Sequence, residues 1–300
     1  DYNWDEEDFF QLTNSIVKKR LLATKLFDEG NFGTDPLGDF LGSDSFKDIV
    51  SVYRSRFADV SDDEINEAVI AILQKQGVNI TRVSEGRVKK YRPLYMLRQL
   101  YEKNSTGANF VAMYYGADMV RRVTGGNVRR FIQLCELLFE ASRNDRLSPN
   151  RQQKAVMEFS MRVCSKACSV YEKGPLLEKF IRDIGKHLES RFHSDDLIDI
   201  GIKFSLSEEC LDNDDFRTMI ETGIMYSYFI CDEVTFLDRL TVDSRLHLAA
   251  FIAAIHWLPL RLGSGIKVSP KGGLKLDAVL SNGPVLSIPE EEIDEQLYLF

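Results

Sequence analysis

The sequence predicts a mainly α-helical protein, in which a helical bundle is followed by a winged-helix domain with a small β-hairpin. Three observations indicate this fold. Helical spacing of apolar residues dominates the first two thirds of the 300 residues, the pattern changes beyond residue 200, and two apolar runs there flank an acidic loop. Helices followed by a strand, a loop and a strand give the order of a winged helix.

Composition narrows the class of protein. A hydrophobic fraction of 44% and a charged fraction of 28% are typical of globular chains. The net charge of −8 argues against a protein that coats nucleic acid without specificity, since that requires a positive surface. The charge balance is −1 over residues 1–150 and −7 over residues 151–300, so any anion-binding surface is expected in the first half.

The cellular location and the metal content are inferred from sequence features that the chain lacks. The first ten residues hold five carboxylates and no basic residue, the reverse of a secretory signal, and the longest apolar stretch, 246–260, is too short for a bilayer. We therefore expect a cytoplasmic protein with no membrane contact. Cys164 and Cys168 lie four residues apart on a predicted helix. This spacing is typical of small buried residues, and it would also suit two of the ligands of a metal site. We expect no metal site, because the remaining ligand types are scattered.

Local signals place the helices of the first half. An acidic start predicts a helix over about 6–25, whereas the glycine-rich residues 28–45 predict a loop. Ser61 and Glu64 form a capping-box pattern that starts another helix. Pro93 is expected in the first turn of the next helix, because proline is tolerated there.

The order of the remaining elements sets the domains. Further helices are expected at 109–122, after the Gly125-Gly126 turn, from Ser148-Pro149 to about 171, from 174 to about 192, and at 213–223. Strands are expected within 224–231 and 246–258, on either side of the acidic loop 232–244. The predicted domains are residues 1–146, residues 147–283, which form the winged helix, and residues 284–300, a flexible acidic tail.

Two adjacent arginines form the most informative pattern in the chain. Asn127 is a good N-cap, so Arg129 and Arg130 fall in the first turn of the helix that follows. Cations there oppose the helix dipole at a cost of about 0.3–1 kcal/mol each. Either the two arginines reach solvent or a carboxylate, or an anion such as phosphate lies between them and the helix amides.

The residues around this pair resemble a known family. Gly126-x-x-Arg129 at the start of a helix resembles the second-sensor motif in the lid of AAA+ ATPases. The longer string 115–131 is similar to bacterial and archaeal members of the origin-recognition initiator family, of Orc/Cdc6 type. Residues 4–20 resemble the segment that leads from the ATPase core into the lid, and Trp-Leu-Pro-Leu-Arg at 257–261 resembles the bacterial branch.

The resemblance implies a nucleotide site. Residues 1–146 would then be the end of the ATPase core and the helical lid. Arg129 would contact the γ-phosphate of ATP bound with Mg²⁺, and Gly126, Asn127 and Arg130 would complete this part of the site. The chain holds no Gly-x4-Gly-Lys-Ser/Thr string and no Walker-B run, so no catalytic residue is assigned and hydrolysis by this chain alone is not expected. We expect the chain to be a piece of a longer protein, with the other half of the site upstream.

Contact with DNA has one candidate surface. The resemblance implies that the winged helix contacts DNA. Its predicted recognition helix and wing are acidic, however, so protein docking is an equally good interpretation of this domain. A basic run interleaved with tyrosines suits a phosphate backbone, or it is simply a solvated face. Its members are Arg82, Arg87, Lys89, Lys90, Arg92 and Arg98.

The last five residues suggest a docking peptide. Gln296, Leu297, Leu299 and Phe300 follow an acidic segment and resemble the Gln-Leu-x-Leu-Phe peptide by which bacterial polymerases and repair proteins bind the sliding clamp. The alternative is a tail that folds back onto the protein itself.

Two functions remain open from the sequence. One is a subunit of a multiprotein DNA-transaction complex, in host replication or anti-phage defence, which senses ATP through Arg129 and binds the sliding clamp through its tail. The other is a non-enzymatic adaptor that keeps the lid and winged-helix fold without using nucleotide.

Overall fold

The architecture comes from a computed structural model. It describes residues 6–23, 33–42, 53–54, 57–76, 85–105, 112–142, 147–171, 173–192, 194, 200–231, 240–242, 244–258, 260 and 264–268. These residues are mainly helical, with one small four-stranded sheet, which confirms the predicted fold class. They divide into two compact units, one within Asp1–Lys47 and Val111–Val163 and the other within Asp48–Phe110 and Cys164–Phe300.

The first unit is a helical bundle. Its helices are α1 (Glu6–Ala23), α2 (Pro36–Leu41), α5 (Ala117–Thr124), α6 (Val128–Ser142) and the first part of α7 (Pro149–Val170). Helix α1 contacts both α2 and α6, and α5 contacts α6. Aromatic rings join them: Phe9 meets Phe131 edge-on at 6.0 Å between ring centroids, and the ring centroids of Phe40 and Phe139 lie 4.9 Å apart.

An irregular segment of this unit, residues 112–116, is held by two glutamine side chains of α7. Gln153 Oε1 accepts hydrogen bonds from the backbone N–H groups of Met113 and Tyr114, at 2.6 and 3.3 Å. Gln152 Oε1 accepts from Gly116 N–H at 2.7 Å, and its Nε2 donates to the carbonyls of Leu41 and Leu147. Both glutamines are buried, so they replace the water that this backbone would otherwise need.

In the second unit, α3 (Asp62–Lys75) packs against α4 (Glu85–Ser105). The predicted capping box is confirmed, since Glu64 N–H donates to Ser61 Oγ at 3.2 Å and Ser61 N–H donates to Glu64 Oε2 at 2.6 Å. These hydrogen bonds favour the charged carboxylate and lower the pKa of Glu64. Asp62 forms ion pairs with Arg54 and Arg92, and the latter pair joins the two helices.

The rest of the second unit is a winged helix. Its elements are α8 (Gly174–Phe192), β1 (Ile200–Leu206), α9 (Glu208–Leu211), α10 (Asp214–Met225), β2 (Phe229–Cys231), β3 (Leu246–Leu248), α11 (Ala250–Ile255) and β4 (Ser264–Val268). The sheet order is β2-β3-β1-β4, with β1–β3 and β2–β3 antiparallel and β1–β4 parallel. Strand β1, followed by two helices and the β2–β3 hairpin, gives winged-helix connectivity.

Four buried phenylalanines form the core of this winged helix. The Phe180 ring of α8 makes edge-on contacts with Phe204, Phe216 and Phe229 at centroid distances of 5.9, 5.3 and 5.6 Å. Phe204 also meets Phe229 at 5.4 Å. The four rings come from α8, β1, α10 and β2, so this cluster joins the helices to the sheet.

Several predicted boundaries are wrong. Pro93 lies inside α4 rather than in its first turn, and the loop predicted over 28–45 contains α2. The helix predicted over 109–122 begins at Ala117, because residues 112–116 are irregular. The apolar runs 224–231 and 246–258 form short strands next to helical residues of α10 and α11.

Candidate functional site

The turn between α5 and α6 has the conformation that its two glycines allow. Gly125 and Gly126 have φ angles of 59° and 71°, in the left-handed region that glycine adopts at little cost. The turn is also held by hydrogen bonds, because Thr124 Oγ1 donates to the Arg121 carbonyl at 2.8 Å and Asn127 N–H donates to the Thr124 carbonyl at 3.1 Å. The sharp entry into α6 that the sequence predicted is therefore present.

Asn127 caps α6 as predicted. Its Oδ1 accepts the backbone N–H of Arg130 at 3.1 Å, and its carbonyl accepts the N–H of Phe131 at 2.9 Å. The N–H groups of Val128 and Arg129 also lie in the first turn, where a helix supplies no acceptor of its own. The start of α6 thus offers backbone donors beside the Arg129 side chain.

The two adjacent arginines lie in different environments. Arg129 is exposed, and within the described ranges its guanidinium has no hydrogen-bond or ion-pair partner. Arg130 is buried and has contacts inside the protein. Of the predicted pair, Arg129 is the one that presents its charge to solvent at the positive end of the helix.

This arrangement suits a phosphate group. A guanidinium can bind phosphate in a bidentate manner, and the backbone N–H groups at a helix start can donate further hydrogen bonds to the same anion. Ile132 is 41% exposed and follows Arg129 by three residues on the same helical face. Among the residues that the structure describes, no group of three or more His, Cys, Asp and Glu side chains could hold a metal ion.

A second arginine site near the turn was not predicted. Arg121, in the last turn of α5, is 9% exposed and extends toward α1 and the start of α2. Its Nη2 donates to Asp35 Oδ1 at 2.6 Å and to Asn14 Oδ1 at 2.9 Å, while Nε lies 3.3 Å from Thr13 Oγ1. The guanidinium also lies 4.3 Å from the centre of the Phe10 ring. The sequence holds one indication that Arg121 is buried: it lies four residues after Ala117, on the same face of α5.

Cys135 is not a reactive group of this site. It is buried on α6, and this burial raises the pKa of its thiol, so the thiol stays protonated at neutral pH.

The predicted basic run does not form one face of α4. Lys89 and Lys90 are exposed, and Lys89 Nζ lies 2.6 Å from Glu85 Oε1. Arg92 pairs with Asp62, and Arg98 is buried. At about 100° per residue these side chains point around the helix rather than in one direction. Arg82 and the Arg87 side chain lie outside the described residues, and DNA contact by this run stays a prediction.

Two other predicted sites are only partly described. The docking peptide, with Gln296, Leu297, Leu299 and Phe300, lies outside the described residues, as does most of the wing. Helix α10, which corresponds to the recognition helix of a winged helix, exposes Asp214, Thr218, Glu221 and Met225 along one stripe.

Comparison with known proteins gives one match. The model of the ORC-CDC6-like family matches residues 1–268 of the 300. The chain belongs to the ORC-CDC6-like family. Membership in the ORC-CDC6-like family relates it to initiator-like AAA+ ATPases, as the lid-like strings had indicated. No curated protein and no solved structure matches the chain. Among the described residues, no helix is long and apolar enough to cross a membrane.

Proposed function

We propose that this chain is the lid and winged-helix part of an initiator-like AAA+ ATPase that acts in DNA transactions, in replication or in anti-phage defence. Its lid senses ATP, bound with Mg²⁺, through Arg129. One observation carries the proposal: Arg129 is an exposed cation, without a partner in the described ranges, in the first turn of α6. Membership in the ORC-CDC6-like family supports the choice of ATP as the nucleotide.

Electrostatics supports this role for Arg129. A cation at a helix start costs about 0.3–1 kcal/mol against the dipole, and no described carboxylate offsets that cost. A γ-phosphate beside Arg129 would change the sign of this interaction. The phosphate-binding loop and the carboxylates for Mg²⁺ would come from outside this chain, so the chain contributes the sensor half of the site.

Arg129→Ala in the intact protein tests the proposal. We expect affinity for a fluorescent ATP analogue to fall about tenfold or more, as for a lost charge-assisted hydrogen bond of about 1.5–3 kcal/mol. Arg122→Ala is the matched control, because Arg122 is another exposed arginine, six residues before the start of α6, and its side chain has no partner in the described ranges. Equal affinities of Arg129→Ala and wild type would refute the sensor assignment.

We propose that the basic run contacts DNA through Lys89 and Lys90. Both are exposed on α4, Lys89 beside Glu85, whereas Arg92 pairs with Asp62 of α3 and Arg98 is buried. Lys89→Glu with Lys90→Glu should weaken DNA binding and reduce the slope of log affinity against log salt by about 2. Lys154 is an exposed lysine on α7, and Lys154→Glu is the control. It should change the DNA affinity and the salt slope less than the Lys89/Lys90 variant does.

We also propose that the tail binds the sliding clamp through Gln296, Leu297, Leu299 and Phe300. Burying a leucine or phenylalanine contributes about 1.5–3 kcal/mol, so two or three anchors are enough for micromolar affinity. Replacing Leu299 and Phe300 by Ala should abolish clamp binding, measured by calorimetry with purified clamp. Tyr298→Ala, at the variable position of the pattern, should keep it. Full binding by the Leu299/Phe300 variant would exclude this role.

The exposed stripe of α10 favours a second candidate function, a protein-docking adaptor. The stripe carries Glu221 and Asp214, of which Asp214 lies 3.8 Å from the guanidinium of Arg217, and Met225 at its end is 49% exposed. Phosphate is repelled by such a surface, whereas a basic protein segment is attracted. An adaptor would capture its partners equally with and without ATP, and equally in Arg129→Ala. Capture that requires ATP and Arg129 would leave the ATP-sensing function as the better candidate.

A further inference from the structure

The structure assigns Arg121 as a positioning residue for the sensor arginine: it fixes the α5–α6 turn to helix α1, so that Arg129 is held at a set place relative to α1. This inference rests on the proposed ATP-sensing function. Arg121 is buried whereas Arg129 is exposed, and Arg121 acts through the backbone that leads to Arg129.

The guanidinium of Arg121 joins three parts of the chain. Its Nη2 donates to Asp35 Oδ1 at 2.6 Å, and Nη1 donates to Asp35 Oδ2 at 3.4 Å, which is a two-point contact with one carboxylate. Nη2 and Nε also donate to Asn14 and Thr13 of α1. A buried guanidinium with this many acceptors has one favoured position, so it fixes the end of α5 against α1.

A chain of hydrogen bonds continues from Arg121 to the start of α6. The Arg121 carbonyl accepts from Thr124 Oγ1 at 2.8 Å, and the Thr124 carbonyl accepts from Asn127 N–H at 3.1 Å. Asn127 Oδ1 then accepts from the N–H of Arg130, the residue after Arg129. Each step joins groups within four residues of one another, so a shift of Arg121 is passed to the first turn of α6.

Two adjacent residues of α1 hold the two sides of the turn. The Phe10 ring lies against the Arg121 guanidinium at the end of α5, at 4.3 Å. The Phe9 ring meets Phe131 near the start of α6, at 6.0 Å between centroids. Both helices that flank the turn are therefore attached to the same turn of α1, and a displacement of α1 moves them together.

A double-mutant cycle in the intact protein tests this role. Arg121→Lys keeps the charge but loses the planar fork, and we expect it to weaken binding of the fluorescent ATP analogue about fivefold, within the usual range of coupling energies. In an Arg129→Ala background the same change should alter affinity less than about twofold, because its effect passes through Arg129. The thermal unfolding midpoint should fall equally in both backgrounds.

The outcomes separate the two proposals. If Arg129→Ala alone leaves affinity unchanged, the proposed sensing function fails, and this inference fails with it. If Arg129→Ala weakens binding but Arg121→Lys has no effect, or has the same effect in both backgrounds, then only the positioning role is refuted. Should Arg121→Lys not fold, Asp35→Asn replaces it, since it removes the charged partner and keeps the shape.

A measurement without nucleotide supports or refutes the same link. Hydrogen–deuterium exchange of the backbone amides of residues 125–131 should be at least about threefold faster in Arg121→Lys than in wild type, because the turn is less restrained. Arg122→Ala should leave these rates unchanged. Equal exchange in Arg121→Lys and wild type would show that Arg121 does not fix the turn.

Discussion

The imidazole of His256 lies directly against the α-carbon of Gly185, and its Nδ1 is 3.1 Å from Glu189 Oε2. A methyl group at position 185 would overlap the ring atoms Cδ2 and Nε2 of His256. Helix α8 and the residue that follows α11 can therefore approach closely because position 185 has no side chain. The glycine and the histidine form one packing unit in the winged helix.

Gly185→Ala is expected to destabilise the second unit. The added methyl must displace a buried imidazole, and such overpacking costs about 1–3 kcal/mol. Chemical denaturation should show the loss as a lower midpoint. Lys186→Ala, an exposed neighbour on α8, should change the free energy of unfolding by less than about 0.5 kcal/mol. A Gly185→Ala protein as stable as wild type would contradict the close packing.

Ser61→Ala is expected to weaken the start of α3. It removes the Oγ that accepts the Glu64 N–H, which costs about 0.5–2 kcal/mol at an N-cap. Ser61→Asp is the matched variant, since aspartate is as good a cap, and it should retain most of the stability. The comparison is made by urea denaturation. Equal loss in both variants would show that the cap is not the cause.

Gln152→Ala is expected to be strongly destabilising. It leaves the Gly116 N–H and the carbonyls of Leu41 and Leu147 without the buried partner that they share. One unsatisfied buried group costs about 1–3 kcal/mol, so the total loss should be at least about 2 kcal/mol. Arg151→Ala, exposed in the same turn of α7, serves as the control in the same denaturation series. A loss no larger than that of the control would disprove this role for Gln152.

Stability should decrease as His187 becomes protonated. Burial, with a smaller effect of Arg191, lowers the pKa of His187 below its usual 6.5, and its Nε2 has no hydrogen-bond partner among the described residues. The unfolded chain then takes up a proton at a higher pH than the folded chain does. Stability from this group is thus present above pH 6.5 and is lost as the pH falls toward the folded pKa.

His187→Gln should flatten this part of the pH profile. Glutamine does not titrate, so the free energy of unfolding should vary less between pH 7 and pH 5 than in wild type. The profile is measured by urea denaturation at each pH. An identical slope in the variant and in wild type would assign the pH dependence to other groups.

Helix starts were predictable because their signals are local. Ser61 and Asn127 are followed by helices with the expected capping bonds, and the helix of Ser148-Pro149 begins at Pro149. Strands β1 and β4 were not predicted. Strand β1 nevertheless has the pattern of a strand, since apolar residues alternate at 200, 202, 204 and 206. The run 246–258 predicts a strand and not helix α11, because Ala250–Ile255 is apolar on all sides and shows no helical period.

The candidate site was predictable in part. The N-cap, the two glycines and the position of Arg129 follow from local sequence, and the structure has them in that form. The different burial of Arg129 and Arg130 could not be predicted, because it depends on which face of α6 packs on the bundle. The side-chain hydrogen-bond partners of Arg121 lie 86–108 positions earlier in the chain, a separation that no local pattern reveals.

The two glutamines of α7 have a consequence for the order of folding. Segment 112–116 has no regular structure of its own, and its backbone N–H groups are satisfied by side chains 36–40 positions later. The segment cannot take its final form until α7 has been synthesised and has docked. The residues that lead into α5 therefore belong to a late, non-local step of folding, although they precede two of the longest helices of the bundle.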